Sequence, residues 1–322
     1  MPIHIENNPD LSPNLLAMPY VCQLIEQPEK FKVAISKPGG TTLVDCGVKT
    51  KGGWDAGVLF ANICLGGMAK VHLTWSNFAG LHWPAVEVVT DHPIRACMAS
   101  QYAGWYIKTK SYFAMGSGPA RAVAGNEEIF KKLGYKDSSK TAVLCLESSK
   151  LPDEETALWL AEQCGCSPEL LYILIAPTAS PVGSVQIAAR SVETGLHKLM
   201  ELGYDLGKIE SGWGHAPVPP VAGDDMTALG RTNDVILYGT TVHYTLEDED
   251  ENLKDFLPKI PSSSSKDFGE PFKDVFKRYG NFYDIDPLLF SPAKVIITNR
   301  KSGRSFSAGE VRKDLLERSF EL

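Results

Sequence analysis

The sequence predicts a mixed α/β (α+β) fold built as two α/β domains, and three observations carry that expectation. Apolar periodicity alternates between strand-like and helix-like windows along most of the chain, the pattern of sheets covered by helices. The length of 322 residues corresponds to two domains at ~150 residues each. Hydrophobic residues make up 43% and charged residues 22%, which fits an ordinary globular protein and excludes disordered, collagen-like or coiled-coil classes. No solenoid-length repeat is visible.

Taken in order, Lys32 to Ile35 and Thr41 to Asp45 read as a hairpin around Lys37-Pro-Gly-Gly40, where glycine accepts positive φ. A helix follows from Asp55 to Leu65, entered after Gly52-Gly-Trp54 and stopped by Gly66-Gly67. Val71 to Trp75 and Ala85 to Thr90 read as strands, and Pro93 opens a helix expected to reach Ile107. The glycine-rich loop Met115-Gly-Ser-Gly-Pro-Ala-Arg121 leads to a helix around Asn126 to Leu133. Thr141 to Leu146 and Leu170 to Ile175 read as buried strands flanking a helix that starts at Pro152-Asp-Glu-Glu155, whose acids suit a helix N-terminus.

Ser184 to Leu202 is expected as one continuous helix, and Asp234 to Leu246 as one long strand or two short ones. The acidic run Glu247 to Glu251 and the serines Ser262 to Ser265 read as surface connection. Lys294 to Thr298 and Arg304 to Ser307 form a closing hairpin before a C-terminal helix. Pairing that hairpin back with the N-terminal strands gives the expected domains: residues 1–120 plus 265–322, and residues 121–264.

Charge and composition restrict the partners. The 32 Lys+Arg against 39 Asp+Glu leave −7, which argues against nucleic acid or an anionic membrane as a partner. Met1 to Asp10 has no basic stretch followed by an apolar one, and nothing approaches the ~20 apolar residues of a membrane span. Seven cysteines, an odd number set mostly in apolar segments, suit free thiols in a reducing compartment, so a cytoplasmic location is expected.

Four segments carry groups capable of chemistry. At 100° per residue, Gln186, Arg190, Glu193 and His197 share one face of the Ser184 to Leu202 helix, beside an apolar arc of Val185, Ala189, Val192, Leu196, Leu199 and Met200. The stripe can line a cleft or be a solvated ion pair; the small and hydroxyl residues Thr178 to Ser184 before it could hold an anion on free N–H groups. Gly116, Ser117 and Gly118 with Arg121 could likewise cradle a phosphate or carboxylate, although they match neither nucleotide-binding glycine pattern. Asp224 and Asp225 are either paired carboxylates or a helix cap, and Arg231, Thr232 and Asn233 add a polar cluster after them.

Gly212-Trp-Gly-His215 is either a ligand-facing loop or a tight turn. Cys164-Gly-Cys166 reads as a helix-end turn with two buried thiols. The seven histidines never form His-x-x-x-His, no Cys-x-x-Cys occurs, and Gly-x-Ser-x-Gly is absent, so neither a metal site nor a Ser-His-Asp hydrolase is expected. Two alternatives stay open from the residues alone. One is a Mg²⁺-dependent phosphate-binding transferase using the Gly-Ser-Gly loop and Asp224/Asp225; the other is a non-enzymatic binding protein.

Read together, Gly52-Gly-Trp-Asp-Ala-Gly57 with Ile63-Cys-Leu-Gly-Gly67, Ala114 to Ala122, Gly183-Ser-Val-Gln-Ile-Ala-Ala-Arg-Ser-Val-Glu-Thr194 and Pro219 to Gly239 resemble methenyltetrahydromethanopterin cyclohydrolase in order and spacing. The resemblance spans most of the chain. It implies two α/β domains with the pterin in a cleft between them, a homotrimer, and a metal-free reaction. That reaction is the reversible hydrolysis of the N5,N10-methenyl cation of tetrahydromethanopterin to the N5-formyl compound, in the one-carbon pathways of methanogenic archaea and methylotrophic bacteria. No tightly bound cofactor is implied; tetrahydromethanopterin, or its dephospho form, is substrate and carbon carrier. The family's Arg-x-x-Glu pair falls on Arg190 and Glu193, with Glu193 as general base. Gln186, Ser184, Gly116, Ser117, Gly118, Arg121, Asp224, Asp225 and Arg231 are the expected substrate contacts, Arg121 first and Arg231 second for the anionic tail.

Overall fold

The computed structural model describes residues 5, 8–280 and 284–322, so His4 lies outside the described residues. The chain divides into two compact units, Met1–Ala69 with Ile94–Gln186, and Lys70–Pro93 with Ile187–Leu322. Each unit is built on one six-stranded mixed sheet with helices, a mixed α+β architecture as the periodicity predicts.

The first unit opens with α1 (Pro13–Glu26), capped by Ser12 Oγ accepting the Leu15 N–H at 3.3 Å, and the single turn α2 (Pro28–Phe31). β1 (Ala34–Ser36) and β2 (Thr42–Asp45) form the expected antiparallel hairpin, and α3 (Trp54–Cys64) the expected helix. The chain then contributes β3 (Lys70–Phe78) and β4 (Leu81–Thr90) to the second unit before returning. Ile94–Gln101 is a buried π-helical segment. The helix expected to reach Ile107 stops there, because β5 (Trp105–Lys108) alternates buried Trp105 and Ile107 with exposed Tyr106 and Lys108.

β6 (Phe113–Ser117), α4 (Ala120–Ala124), α5 (Glu128–Leu133), β7 (Ala142–Glu147), α6 (Glu154–Cys164), β8 (Leu171–Ala176) and α7 (Pro181–Ala188) follow. The sheet order is β1-β2-β8-β7-β6-β5, with β2, β8 and β7 parallel. The βαβ unit is the one expected, its helix capped by Asp153 Oδ1 accepting the Thr156 N–H at 2.9 Å. Gly165, left-handed at φ 62°, ends α6 between Cys164, which is buried, and Cys166, which is only half-buried.

The second unit comprises β3, β4, α8 (Ser191–Glu201), β9 (Ile209–Pro217), α9 (Asp225–Asp234), β10 (Thr241–Leu246), α10 (Asp250–Phe256), α11 (Phe272–Tyr279), β11 (Lys294–Asn299), β12 (Arg304–Gly309) and α12 (Lys313–Phe320), with sheet order β12-β11-β10-β9-β4-β3. The closing hairpin forms, but β11 pairs in parallel with β10, not with the N-terminal strands. The expected grouping of residues 265–322 with the N-terminus therefore does not match the strand pairing. Val295 and Ile297 bury beside Val242 and Tyr244, a match that alternation permits but does not dictate.

Two other expectations change here. Residues 234–239 are not strand: α9 continues into a π-helical turn, Val235–Gly239, whose apolar residues fill the core with Phe272, Leu316 and Phe320. A short apolar run does not by itself separate strand from buried helix. The acidic run alternates instead of lying wholly on the surface. Asp248 and Asp250 are buried, Asp248 taking Lys208 Nζ at 2.7 Å and Asp250 taking Asn299 Nδ2 at 2.7 Å, while Glu247, Glu249 and Glu251 are exposed. Ser262 and Ser265 are also buried and hydrogen-bonded.

Candidate active site

The expected continuous helix is two helices. α7 ends at Ala188, and Arg190, with φ −86° and ψ 10°, caps α8, its N–H turning back to the Ile187 carbonyl at 3.0 Å. The 100° spacing therefore does not carry Gln186 onto the face of Arg190 and Glu193.

α8 lies close on the sheet because side chains are missing where it crosses. A Cβ on Gly214 would stand 2.2 Å from Ser191 Oγ, one on Gly212 2.5 Å from Val192 Cγ1, and one on Gly195 2.2 Å from the Tyr244 hydroxyl. Tyr244 instead donates to the Val192 carbonyl at 2.7 Å. Gly212-Trp-Gly-His215 is thus neither loop nor tight turn but part of β9: its glycines face α8 and Trp213 points away, donating from Nε1 to Glu87 at 2.7 Å. Further along α8, Lys198 donates to Ser264 Oγ at 3.1 Å and to the Leu288 carbonyl, and burial pulls its ammonium down to about 8.

This anchoring holds Arg190 and Glu193 in the first turn of α8. Arg190 Nη1 lies 3.9 Å from Glu193 Oε2, and the side chains are only 12% and 6% exposed. The separation is a charge contact, longer than a hydrogen bond. Withdrawal from solvent distinguishes the pair from a surface bridge, and the helix N-terminus favours the carboxylate there.

In the first unit, Gln186 and Ser184 are both buried within α7, and Gln186 Nε2 donates to Glu147 Oε2 at 3.3 Å. Glu147 also accepts from the Thr178 hydroxyl at 2.5 Å. Sequence reasoning passed over Glu147, although a carboxylate directly after an all-apolar parallel strand was a usable signal. Two of the N–H groups in the run expected to hold an anion are engaged internally. Ser180 Oγ takes the Gly183 N–H at 2.9 Å and its carbonyl takes that of Ser184 at 2.9 Å.

The glycine loop is also different from the expectation. Arg121 is fully buried; Nε and Nη2 form a fork on Glu127 at 2.8 and 2.9 Å, and Nη1 donates to the Met98 and Ser100 carbonyls. Four of its five N–H donors are thereby engaged internally. The Ser117 hydroxyl donates to the Gln101 carbonyl at 2.6 Å and the Gly118 N–H, at φ 91°, to the Ser100 carbonyl at 2.8 Å. A Cβ on Gly116 would meet Ile107 Cδ1 at 2.9 Å. These residues fasten the end of the π-helical segment and do not present donors to an anion.

Asp224 and Asp225 are both exposed. Asp224 Oδ1 caps α9 through the Thr227 N–H at 2.8 Å, which, with the Thr227 side chain, holds its carboxyl below the usual range. Arg231 donates from Nε to the Ser319 carbonyl at 3.2 Å and pairs with Glu321 at 3.2 Å, beside a cavity of about 140 Å³ also lined by Asp234, Lys273, Asp274 and Arg318. Among the described residues no group of three His, Cys, Asp or Glu side chains is placed to hold a metal ion. No described helix is long and apolar enough to cross a membrane.

Comparison with known proteins places the chain in a family. The model of the family described as Cyclohydrolase (MCH) matches residues 12–320. A protein of Methanococcoides burtonii named methenyltetrahydromethanopterin cyclohydrolase is 45% identical over 96% of this chain and 98% of its own length. Proteins of the same name from Methanocaldococcus jannaschii and Methylobacillus flagellatus are 44% and 43% identical, each over 96% of this chain and over 98% and 95% of their own lengths. A match running from the first helix to the last, at this identity, assigns the chain to the cyclohydrolase (MCH) family.

Proposed function

We propose that this protein reversibly hydrolyses N5,N10-methenyltetrahydromethanopterin to N5-formyltetrahydromethanopterin. The observation that carries the reading is the solvent-withdrawn Arg190–Glu193 pair on the first turn of α8, in a chain that shares 45% of its residues with a relative of that name. Water adds to the electron-poor carbon between N5 and N10, and Glu193 takes a proton as the C–O bond forms. The C–N10 bond of the adduct then breaks. One of the water's two protons ends on N10 and the other passes to solvent, which balances a cation going to a neutral formyl compound.

Arg190 would weaken Glu193 as a base by favouring its charged form. The substrate offsets this, since a cationic amidinium needs only a modest base. Arg190 also orients the carboxylate and stabilises oxygen charge as the adduct forms. The pterin is carrier and substrate, without a resident cofactor or metal. A homotrimer in the cytoplasm, acting in one-carbon metabolism such as formaldehyde oxidation or methanogenesis, completes the proposal.

The test follows loss of methenyl absorbance with EDTA present, comparing methenyltetrahydromethanopterin with methenyltetrahydrofolate. Accelerated hydrolysis of the methanopterin compound alone is the expected result. Failure to accelerate either would remove the reading and return Arg190 and Glu193 to a structural ion pair.

A further inference from the structure

Glu147 is a carboxylate that the reaction above leaves unused. Three parts of the chain converge on it: it ends β7, Thr178 follows β8, and Gln186 lies in α7. Their place in the sheet is informative. α6, which leaves β7, packs through Ala157, Leu160 and Ala161 on the face carrying Leu144 and Ile173. α7, which leaves β8, packs through Val182 on the opposite face, with Val143 and Leu174. Adjacent parallel strands whose exits turn to opposite faces leave a crevice at their carboxyl ends, where open α/β sheets take ligands. Glu147 ends β7 and Thr178 closely follows the end of β8, so their hydrogen bond joins the carboxyl ends of the two strands.

The two hydrogen bonds engage one carboxylate oxygen each, 2.5 Å from Thr178 to Oε1 and 3.3 Å from Gln186 to Oε2, so both oxygens are oriented. A carboxylate has about four acceptor positions, and two are used here. Glu147 is half-buried, and its two hydrogen bonds orient the carboxylate while leaving acceptor capacity over. That arrangement suits a ligand edge with two N–H donors side by side and repels phosphate or carboxylate. The pyrimidinone ring of a pterin has such an edge in its N3–H and 2-amino groups.

We propose that Glu147 receives this edge of the pterin in a two-pronged hydrogen bond, with Thr178 and Gln186 as positioning residues. The inference rests on the cyclohydrolase reading and assigns a specificity residue within it. Steady-state kinetics with methenyltetrahydromethanopterin test it on the full-length wild type, Glu147→Gln and Thr178→Val. In Glu147→Gln an amide NH₂ would confront one of the two donors, so KM should rise by about tenfold or more while kcat stays within about threefold and the melting temperature is unchanged. Thr178→Val, which loosens the carboxylate without removing it, should raise KM less and in the same direction; it also keeps the test decisive if Glu147→Gln does not fold. An unchanged KM, or a fall in kcat alone, overturns the assignment while leaving the cyclohydrolase reading intact. An inactive wild type removes both.

Discussion

Glu193 and Arg190 were legible at the scale of single residues because their spacing of three fixes their proximity on any helix, whatever surrounds it. Arg121 was not, since a guanidinium beside glycines reads the same whether its partner is an external anion or Glu127, six residues on. Arg121 is fully buried and the Glu127 side chain 13% exposed, so Arg121→Ala should destabilise the protein by about 3–5 kcal/mol in urea unfolding, by leaving that carboxylate and the Met98 and Ser100 carbonyls without the guanidinium. KM and its salt dependence should be unchanged in the folded fraction. A stable variant with a salt-sensitive rise in KM would instead restore Arg121 as an anion contact.

Asp234 makes a second prediction at this scale. Burial pushes its carboxyl up to about 7, although Ser319 Oγ and the Phe272 N–H both donate to it. A carboxyl raised in the folded state binds protons more tightly folded than unfolded, so its contribution is full below the unfolded value, about 3.8, and is lost as pH rises to about 7. Asp234→Asn should remove that slope. Relative to the variant, the wild type should lose stability between about pH 4 and 7 in urea titrations; parallel curves would contradict the assignment.

At the scale of elements, the strongly periodic segments were legible and the junctions were not. The break between α7 and α8 is hidden because apolar residues continue through it: Val185, Ala189 and Val192 are all buried, as one helix would also require. The glycines of β9 looked like a loop because glycine is a common turn signal, and only contact with α8 reveals their purpose. Gly214→Ala places a methyl where Ser191 Oγ now lies, directly after Arg190. It should cost about 1–3 kcal/mol by overpacking and lower kcat by displacing the first turn of α8. Thermal unfolding and kcat measured together check this; a variant with normal values for both would mean that the approach of helix and strand does not set the position of Glu193.

For the whole molecule, composition and alternation made the two-unit mixed architecture legible, but not the partner of each strand. Alternation says which face of β11 is buried; the pairing with β10 across more than forty intervening residues is a long-range choice that local pattern does not encode. The resemblance in four separated segments carried the family, and the match over residues 12–320 agrees with it.

The central claim, that Glu193 is the base in a hydrolysis set up by α8, is tested most directly by the rate of methenyltetrahydromethanopterin hydrolysis in Glu193→Gln against the wild type. A folded variant with the wild-type melting temperature and a kcat lower by about 10²- to 10⁴-fold is the expected result. A folded variant with near-normal kcat would contradict the claim and leave the pair as part of the frame of α8.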